Sequence, residues 1–390
     1  MTDLSGLPHA LEDTLARLGL GPSEHDQHTR LLRLHTPLGP DVLLAERVTV
    51  HEGLAPCGQP PLQAACHIEL LALSPRADLR ASDLLGQPVL LELQTTHAWR
   101  PFHGHVSHLA CLGSDGGLAR WRLHIDPWLH WLSHRSDAWV FQDMDALGIT
   151  EAVFADYQAQ GALQPAWRID VADRSALPRR SLCTQFHETD LAFLSRLWAE
   201  EGIAWRVEES ADAPAGHGVV FFVHSQAQPQ DPTSADGLRL HASPGQDSQE
   251  AQDSIHELGH ERRLGHTAQV VLGWDPQAHT AIAAEVPSLS GWGPVGDQGV
   301  AQLTPWLSQY DPTSDHLFGT PDEASFAATL LQQAEEVRTE GWTGRGNVRT
   351  LRAGTWGTVM PPSGTVMTGA RPGLGVAAER ARAWCTGQVP

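Results

Sequence analysis

The stretch TQFHETDLAFLSRLWAEEGIAW, Thr184–Trp205, decides the reading of this chain. From Glu188 onward it is the clearest helix in the sequence. Leu191, Leu194, Leu197 and Trp198 recur at three- and four-residue spacing and so share one face of a 3.6-residue helix. Glu200 and Glu201 followed by Gly202 close it, because glycine enters the left-handed conformation of a helix C-cap without steric cost. Two strands follow, IAWRVEE from Ile203 and GVVFFVHS from Gly218.

Upstream, the pattern from Arg30 is one of strands and turns. RLLRLHTPLG (30–39), DVLLAERVTV (41–50), LQAACHIELLALS (62–74) and Val89–Gln94 read as strands. Between them, ADLRASDLLGQP is a short helical or turn segment. WRPFHGHVSHLACLGS and LARWRLHID form a hairpin with Asp115-Gly116-Gly117 at its tip. DPWLHWLSHR then offers Asp126 as a helix N-cap with Pro127 at the first helical position, and Ile149–Tyr157 is a further helix. Downstream, 225–254 is a polar loop, HTAQVVLGWD (266–275) a strand and 285–310 a Gly/Pro-rich excursion. Residues 321–342 are a helix and NVRTLRAGTWGTV (347–359) a last strand pair.

The expected organisation is a polar tail at 1–29, a first β-barrel-like domain at 30–125 and a helical connector at 126–205. A second β-barrel-like domain follows at 206–290, then a Gly/Pro-rich loop, helix and closing strands at 291–357. The tail at 358–390 has Pro361-Pro362, many glycines and no apolar period, and is expected to be loosely packed. The fold class is mainly β with α insertions (α+β).

Composition narrows the function. The 390 residues carry a formal net charge of −20, which repels a phosphate backbone, so nucleic acid is not an expected partner. All 26 basic residues are arginine, which removes lysine Schiff-base and P-loop chemistry. Five scattered cysteines make no CxxC pair and suit a reducing cytosol. The N-terminus has no basic region followed by an apolar run, and no stretch approaches 18 apolar residues. A signal peptide and a membrane span are therefore not expected.

Several segments, in order, resemble the VgrG family of type VI secretion spike proteins and the related tail hubs of contractile phages. They are HTPLG (35–39), DLLGQPV (83–89), RPFHGHVSHL (100–109), RWRLHIDPWLHWLSHRSDAWVFQ (120–142) and the opening stretch. In that stretch Gln185, Phe186, Glu188, Asp190, Phe193, Arg196, Leu197, Glu200, Glu201, Gly202 and Ile203 match the family's pattern almost residue by residue. The resemblance covers about residues 30–205 and continues more weakly to about 355, where NVRTLRAGTW is similar to a family segment. After residue 357 nothing resembles the family's OB-like barrel or needle.

The resemblance implies a phage tail-hub-like base of two small antiparallel β-barrel-like domains with helical connectors. Three chains would form a ring, a homotrimer, on a hexameric Hcp-type tube, with baseplate and effector or adaptor proteins as further partners. The protein would be cytoplasmic until assembled and then exported through the apparatus, with no stable membrane insertion. It implies no enzyme, no cofactor and no catalytic residue. The Arg196, Glu188, Asp190, Glu200 and Glu201 group then reads as helix-surface ion pairs, and Trp121, Trp128, Trp131 and Trp139 as core and interface aromatics.

One motif competes. HELGHERRLGH (256–266) contains H-E-x-x-H. On a helix, His256 and His260 would point the same way and bind zinc with His266 as third ligand, leaving Glu257 as general base of a metalloprotease. Against this, Arg263 stands where the metzincin pattern needs glycine, Gly259 weakens the helix by about 1 kcal/mol, and the next methionine is Met360. The order of segments also places 255–273 where the family it resembles has a strand, so 256–266 is expected to be a solvated strand or loop. The leading expectation is a structural adaptor with no metal, and a zinc hydrolase or a phage or prophage tail hub is the alternative.

Overall fold

The computed structural model describes residues 26–54, 66–96, 98–114, 117–158, 163–223, 238–240, 253–275, 278–288, 307–311, 318–355, 359–360 and 385–389. Its first block is one antiparallel sheet. The strands are β1 (Leu32–His35), β2 (Leu44–Glu52), β3 (Cys66–Ser74), β4 (Pro88–Gln94), β5 (Trp99–Ser114) and β6 (Ala119–Asp126). A terminal strand, Cys385–Val389, joins at the β2 edge and completes seven strands in the order β1-β4-β5-β6-β3-β2-terminal strand. Burial alternates along β3, β4 and β6, as a sheet with one covered face requires. Inward residues such as Leu34, Leu91 and Phe102 meet across the ladder. Register shifts at Ala45/Arg47, Val106/His108 and Cys111/Gly113 bend the strands. The result is a half-barrel around a core that includes Leu70, Leu84, Leu91, Val106 and Leu123.

The second block is not a string of helices. Trp128–Ser133 is a 3-10 turn. β7 (Ser136–Asp137) and β8 (Val140–Met144) precede helix α1 (Ala146–Ala155), and β9 (Trp167–Asp170), β10 (Arg180–Thr184) and β11 (Glu188–Thr189) precede α2 (Asp190–Glu200). Asp126 does not cap a helix. It ends β6, and its carboxylate is taken by His67 Nδ1 at 2.7 Å and by the Ser107 hydroxyl. The real N-caps are Asp145 for α1, which accepts from Gly148 N, and Thr189 for α2, which accepts from Ala192 N.

The C-terminus of α2 is the cap that the sequence predicts. Gly202 has φ +64°, Ile203 N donates to Trp198 O and Gly202 N to Ala199 O, a Schellman motif. Phe193, Leu194, Leu197 and Trp198 are fully buried and Leu191 only partly.

β12 (Ala204–Glu209) and β13 (His217–Phe222) belong with these helices and not with a second barrel starting at residue 206. β13 pairs with β12 on one side and, in parallel, with β9 on the other. Trp205, Val219 and Phe221 share one core with Trp128, Phe154 and Trp198. The boundary drawn from sequence fails because strands with apolar inner faces go to the largest apolar surface within reach.

Beyond residue 223, β14 (Leu238–Leu240), β15 (Ser254–Arg262), β16 (Ala268–Asp275), β17 (Thr280–Pro287) and β18 (Ser308–Asp311) precede α3 (Pro321–Thr339). β19 (Glu340–Gly346) and β20 (Val359–Met360) follow it. Among the described residues they make two sheets, β19-β15-β14-β20 and β17-β16-β18, each with parallel pairs. α3 lies over β16 and β17. The last strand pair expected in 347–359 is instead β19, which takes the end of the expected helix. Residues 347–355 form an irregular segment, from which Arg349 O accepts a hydrogen bond from Arg100 of β5. The tail at 1–25 and the hairpin tip at 115–116 lie outside the described residues. So do most of the 225–254 loop, the 289–306 part of the Gly/Pro excursion and 361–384. Gly202 has a second role here, because a Cβ there would lie 2.6 Å from Leu330 Cδ2 of α3.

Candidate assembly surface

β7 and β8 run antiparallel to β11 and β10 as one long ribbon, paired Ser136 with Thr189 and Val140 with Thr184 at its two parts. Between these parts three residues, 185–187, face two, 138–139, so the ribbon bulges. Gln185 N still donates to Trp139 O, and His187 takes φ +51°, a conformation costly for a non-glycine residue. The bulge turns Phe186 (72% exposed) and Trp139 (46%) outward. On the same outer face stand Val140, Gln142, Leu182 and Thr184, all exposed. The inner face carries Phe141 and Cys183, with Phe141 stacked on Phe193 of α2 at 5.7 Å.

A buried polar network holds that bulge. Gln185 and Asp190 are both fully buried, and Gln185 Nε2 donates to Asp190 Oδ1 at 2.8 Å. Tyr157 OH donates to Asp190 Oδ2 at 2.6 Å, and Arg135 Nε lies 3.3 Å from the same oxygen. Burial, then the Asp190 hydrogen bond, pushes the Tyr157 hydroxyl well above its ordinary range. The neighbouring charges are paired within the chain: Arg196 with Glu188 at 2.7 Å, and Arg135 with Asp156 at 2.8 Å. The outer face combines the apolar Phe186, Trp139, Val140 and Leu182 with the uncharged polar Gln142 and Thr184, a mix met in protein–protein contact surfaces.

Besides the buried Asp190, one more of the acidic residues expected at the helix surface is covered, and one aromatic of the motif is exposed. Glu201 is buried and pairs with Arg180 at 2.6 Å, while Glu200 takes the other guanidinium nitrogen at 2.7 Å. Burial raises the Glu201 carboxyl above its ordinary range despite Arg180. Phe186 is the reverse case, an aromatic in a motif otherwise spent on the core. Its own neighbours give no signal of exposure, which comes from the unequal lengths of the two bulged segments. Of the four tryptophans, Trp121 and Trp128 are core, Trp131 is half-buried and Trp139 is exposed.

The residues of the competing motif are not brought together. His256, Glu257 and His260 lie on β15, a strand, so the one-turn spacing that would aim both histidines at one ion does not exist. Four strand residues span about 13 Å. His260 stacks on Trp342 of β19 at 4.1 Å, Glu257 is exposed with Arg345 at 3.8 Å, and His266 lies exposed beyond the strand. Among the described residues no three His, Cys, Asp or Glu side chains are grouped to hold a metal ion.

Sequence reasoning missed the Ser107, Asp126 and His67 contact. There the serine donates to the aspartate and not to the histidine, so the set lacks the order of a Ser-His-Asp triad. No helix among the described residues is long and apolar enough to cross a membrane.

Comparison with known proteins places this architecture. Spike proteins of the type VI secretion system of Pseudomonas aeruginosa are similar in sequence. VgrG1b is 33% identical over 181 residues and VgrG5 35% over 164. These matches cover 45% and 42% of this chain but only 22% and 20% of the relatives, so the chain matches about a fifth of their length, their N-terminal part. In fold it resembles an Escherichia coli component of the type VI secretion system described as similar to the T4 bacteriophage tail proteins gp27 and gp5. That likeness has a TM-score of 0.55 at 15% identity and covers 84% of this chain and 66% of the other. A 43 kDa prophage tail protein of Shewanella oneidensis gives a TM-score of 0.52 at 10% identity, covering 84% and 88%. The sequence model of the phage tail baseplate hub family matches residues 62–363, well over half of the chain. The chain therefore belongs to the phage tail baseplate hub (GPD) family and is related to the VgrG spike proteins of type VI secretion.

Proposed function

We propose that this protein is the structural base of a type VI secretion spike, a homotrimer stacking on an Hcp-type hexameric ring, with no chemistry of its own. The observation that carries the reading is the family match over 62–363 together with the exposed Phe186, Trp139, Val140 and Leu182 of the bulged ribbon. A sixfold ring can be met by three chains if each offers two similar faces. In this reading the half-barrel and the β region beyond residue 253 supply them as two barrel-like modules. Baseplate and effector or adaptor proteins are the further partners, and the protein waits in the cytoplasm until the apparatus exports it.

The test is to mix the purified chain with the Hcp-type ring from the same genome and follow absolute mass by light scattering. Trimer formation that rises with concentration, with ring binding appearing only alongside trimer, supports the reading. Binding of a lone monomer, or trimer without ring binding, overturns it. Binding to a phage tail tube protein in place of the secretion ring would transfer the same structural role to a prophage tail hub.

A further inference from the structure

The seam between the half-barrel and the helix-bearing module is lined with histidine. His105 of β5 and His217 of β13 are both fully buried, with ring centroids 5.7 Å apart. The backbone N–H of Trp128 donates to His217 Nε2 at 3.1 Å. Because an amide can only donate, Nε2 must be the unprotonated nitrogen. Nδ1 then carries the proton and faces Ala215 O at 3.2 Å. The ring is therefore locked as one neutral tautomer. The turn before it is shaped to admit β5: Gly216 has φ +76°, and a Cβ there would strike the His103 ring at 2.2 Å. His103 in turn binds Glu209 of β12, and its backbone N–H donates to the same carboxylate at 3.1 Å.

We propose that the buried His105–His217 contact is an acid-released latch between the half-barrel and the helix-bearing module. A proton on Nε2 would abolish the only acceptor shown for the Trp128 N–H, and would place a charge without solvent beside a second buried imidazole. The closed seam refuses that proton, whereas an open seam accepts it. Burial, then His105, holds His217 far below its ordinary range, at about 3. The open state thus binds more protons at every pH between the ordinary histidine value and about 3, and opening is favoured as pH falls.

Among the other groups around the seam, the carboxylates, the arginines and the thiol do not produce that response in the same window. Burial raises Glu209, so acid relieves its strain in the closed seam, the opposite sign. For Asp126, burial acts upward, but hydrogen bonds from His67 and Ser107 leave it below its ordinary range, so its loss comes only in stronger acid. Arg100 pairs with Glu52 at 2.5 Å, and a guanidinium does not deprotonate in a protein. The Cys66 thiol is pushed up by burial and then by Glu52, and stays neutral. His124 and His130 are lowered, chiefly by burial, and share the sign of His217, so they are the controls.

The experiment is hydrogen exchange followed by mass spectrometry on the full chain at pH 8 and pH 5, with times scaled to the intrinsic rate at each pH. One histidine with an ordinary open-state value multiplies the opening constant by about 30 over that range. Peptides carrying Trp128 and His217–Phe222 should lose protection by about that factor, while those of α1 and β4 change little. His217→Gln, whose amide oxygen can still accept from Trp128 and which cannot titrate, should abolish the difference, and His124→Gln with His130→Gln should keep it. If His217→Gln does not fold, the localisation in the unmodified chain and its survival in the double variant decide. Equal loss across the chain, no loss, or a response that outlives His217→Gln overturns the proposal.

Discussion

The module around α2 and the region around α3 share a plan, a helix laid on short strands, but they are filled differently. Around α2 the fully buried side chains include Trp128, Phe154, Phe193, Trp198 and Phe221; Phe154 meets Trp128 and Trp198 edge to face at 4.8 and 6.5 Å, and Trp198 meets Phe221 tilted at 5.0 Å. Around α3 the core is Val271, Phe318, Ala324 and Ala328, with Ile282, Ala284 and Val286 half-covered. Alanine brings a helix close to a sheet but buries little area, whereas each aromatic buries roughly 150–250 Å². Among the described residues, the densely filled core lies before residue 223, and the sheet under α3 is held by smaller side chains.

The largest effect that can test this contrast is Trp198→Ala. It empties the centre of the α2 core and strands Thr150, whose hydroxyl accepts from Trp198 Nε1 at 2.9 Å. A loss of about 3–5 kcal/mol in urea unfolding is expected. Next is Asp190→Asn, which removes the charge from the oxygens that bind Tyr157, Gln185 and Arg135. It should cost about 1–3 kcal/mol and also loosen the bulge, seen as faster exchange at 185–188. Val271→Ala, the matching deletion under α3, should cost about 1–2 kcal/mol. A cost as large as that of Trp198→Ala would break the contrast. The smallest stability effect belongs to Phe186→Ala, within about 0.5 kcal/mol because the ring is exposed, though it should weaken self-association measured by light scattering. Acid sharpens the same comparison. His217 is buried neutral, so the seam at Trp128 should loosen from about pH 6.5 toward pH 3 while the α1 and α2 core holds, read by near-ultraviolet circular dichroism.

Much of this architecture was legible in the residues. The α2 helix, its buried face and its Gly202 cap could be read because local periodicity and φ preference act within a few positions. The strands of the half-barrel could be read because one covered face imposes alternation. What failed depended on distant partners. Asp126-Pro127 carries the local signature of a helix start, but the β6 ladder and the His67 and Ser107 side chains claim the aspartate first. HELGHERRLGH is a partial exception: its histidines four apart fit a helix or a strand, the order of segments favours a strand or loop, and β15 is a strand paired with β19. Glu201 looks like a surface charge until Arg180, 21 positions earlier, is found beside it. Phe186 looks like core until the ribbon's bulge is drawn.

The meeting of Gly202 with Leu330 has an evolutionary consequence. One missing methyl group serves two unrelated masters, the left-handed turn that ends α2 and the socket that receives α3. A mutation there meets both demands at once, of which the turn is the stricter, because its φ is set by the backbone while the Leu330 tip can shift. Shrinking Leu330 would reopen the socket yet leave the turn strained, and asparagine would ease the turn yet fill the socket. The α2 module and the α3 region are therefore tied at this point as inherited units, and an insertion or swap that replaces one of them must bring its own answer for the other.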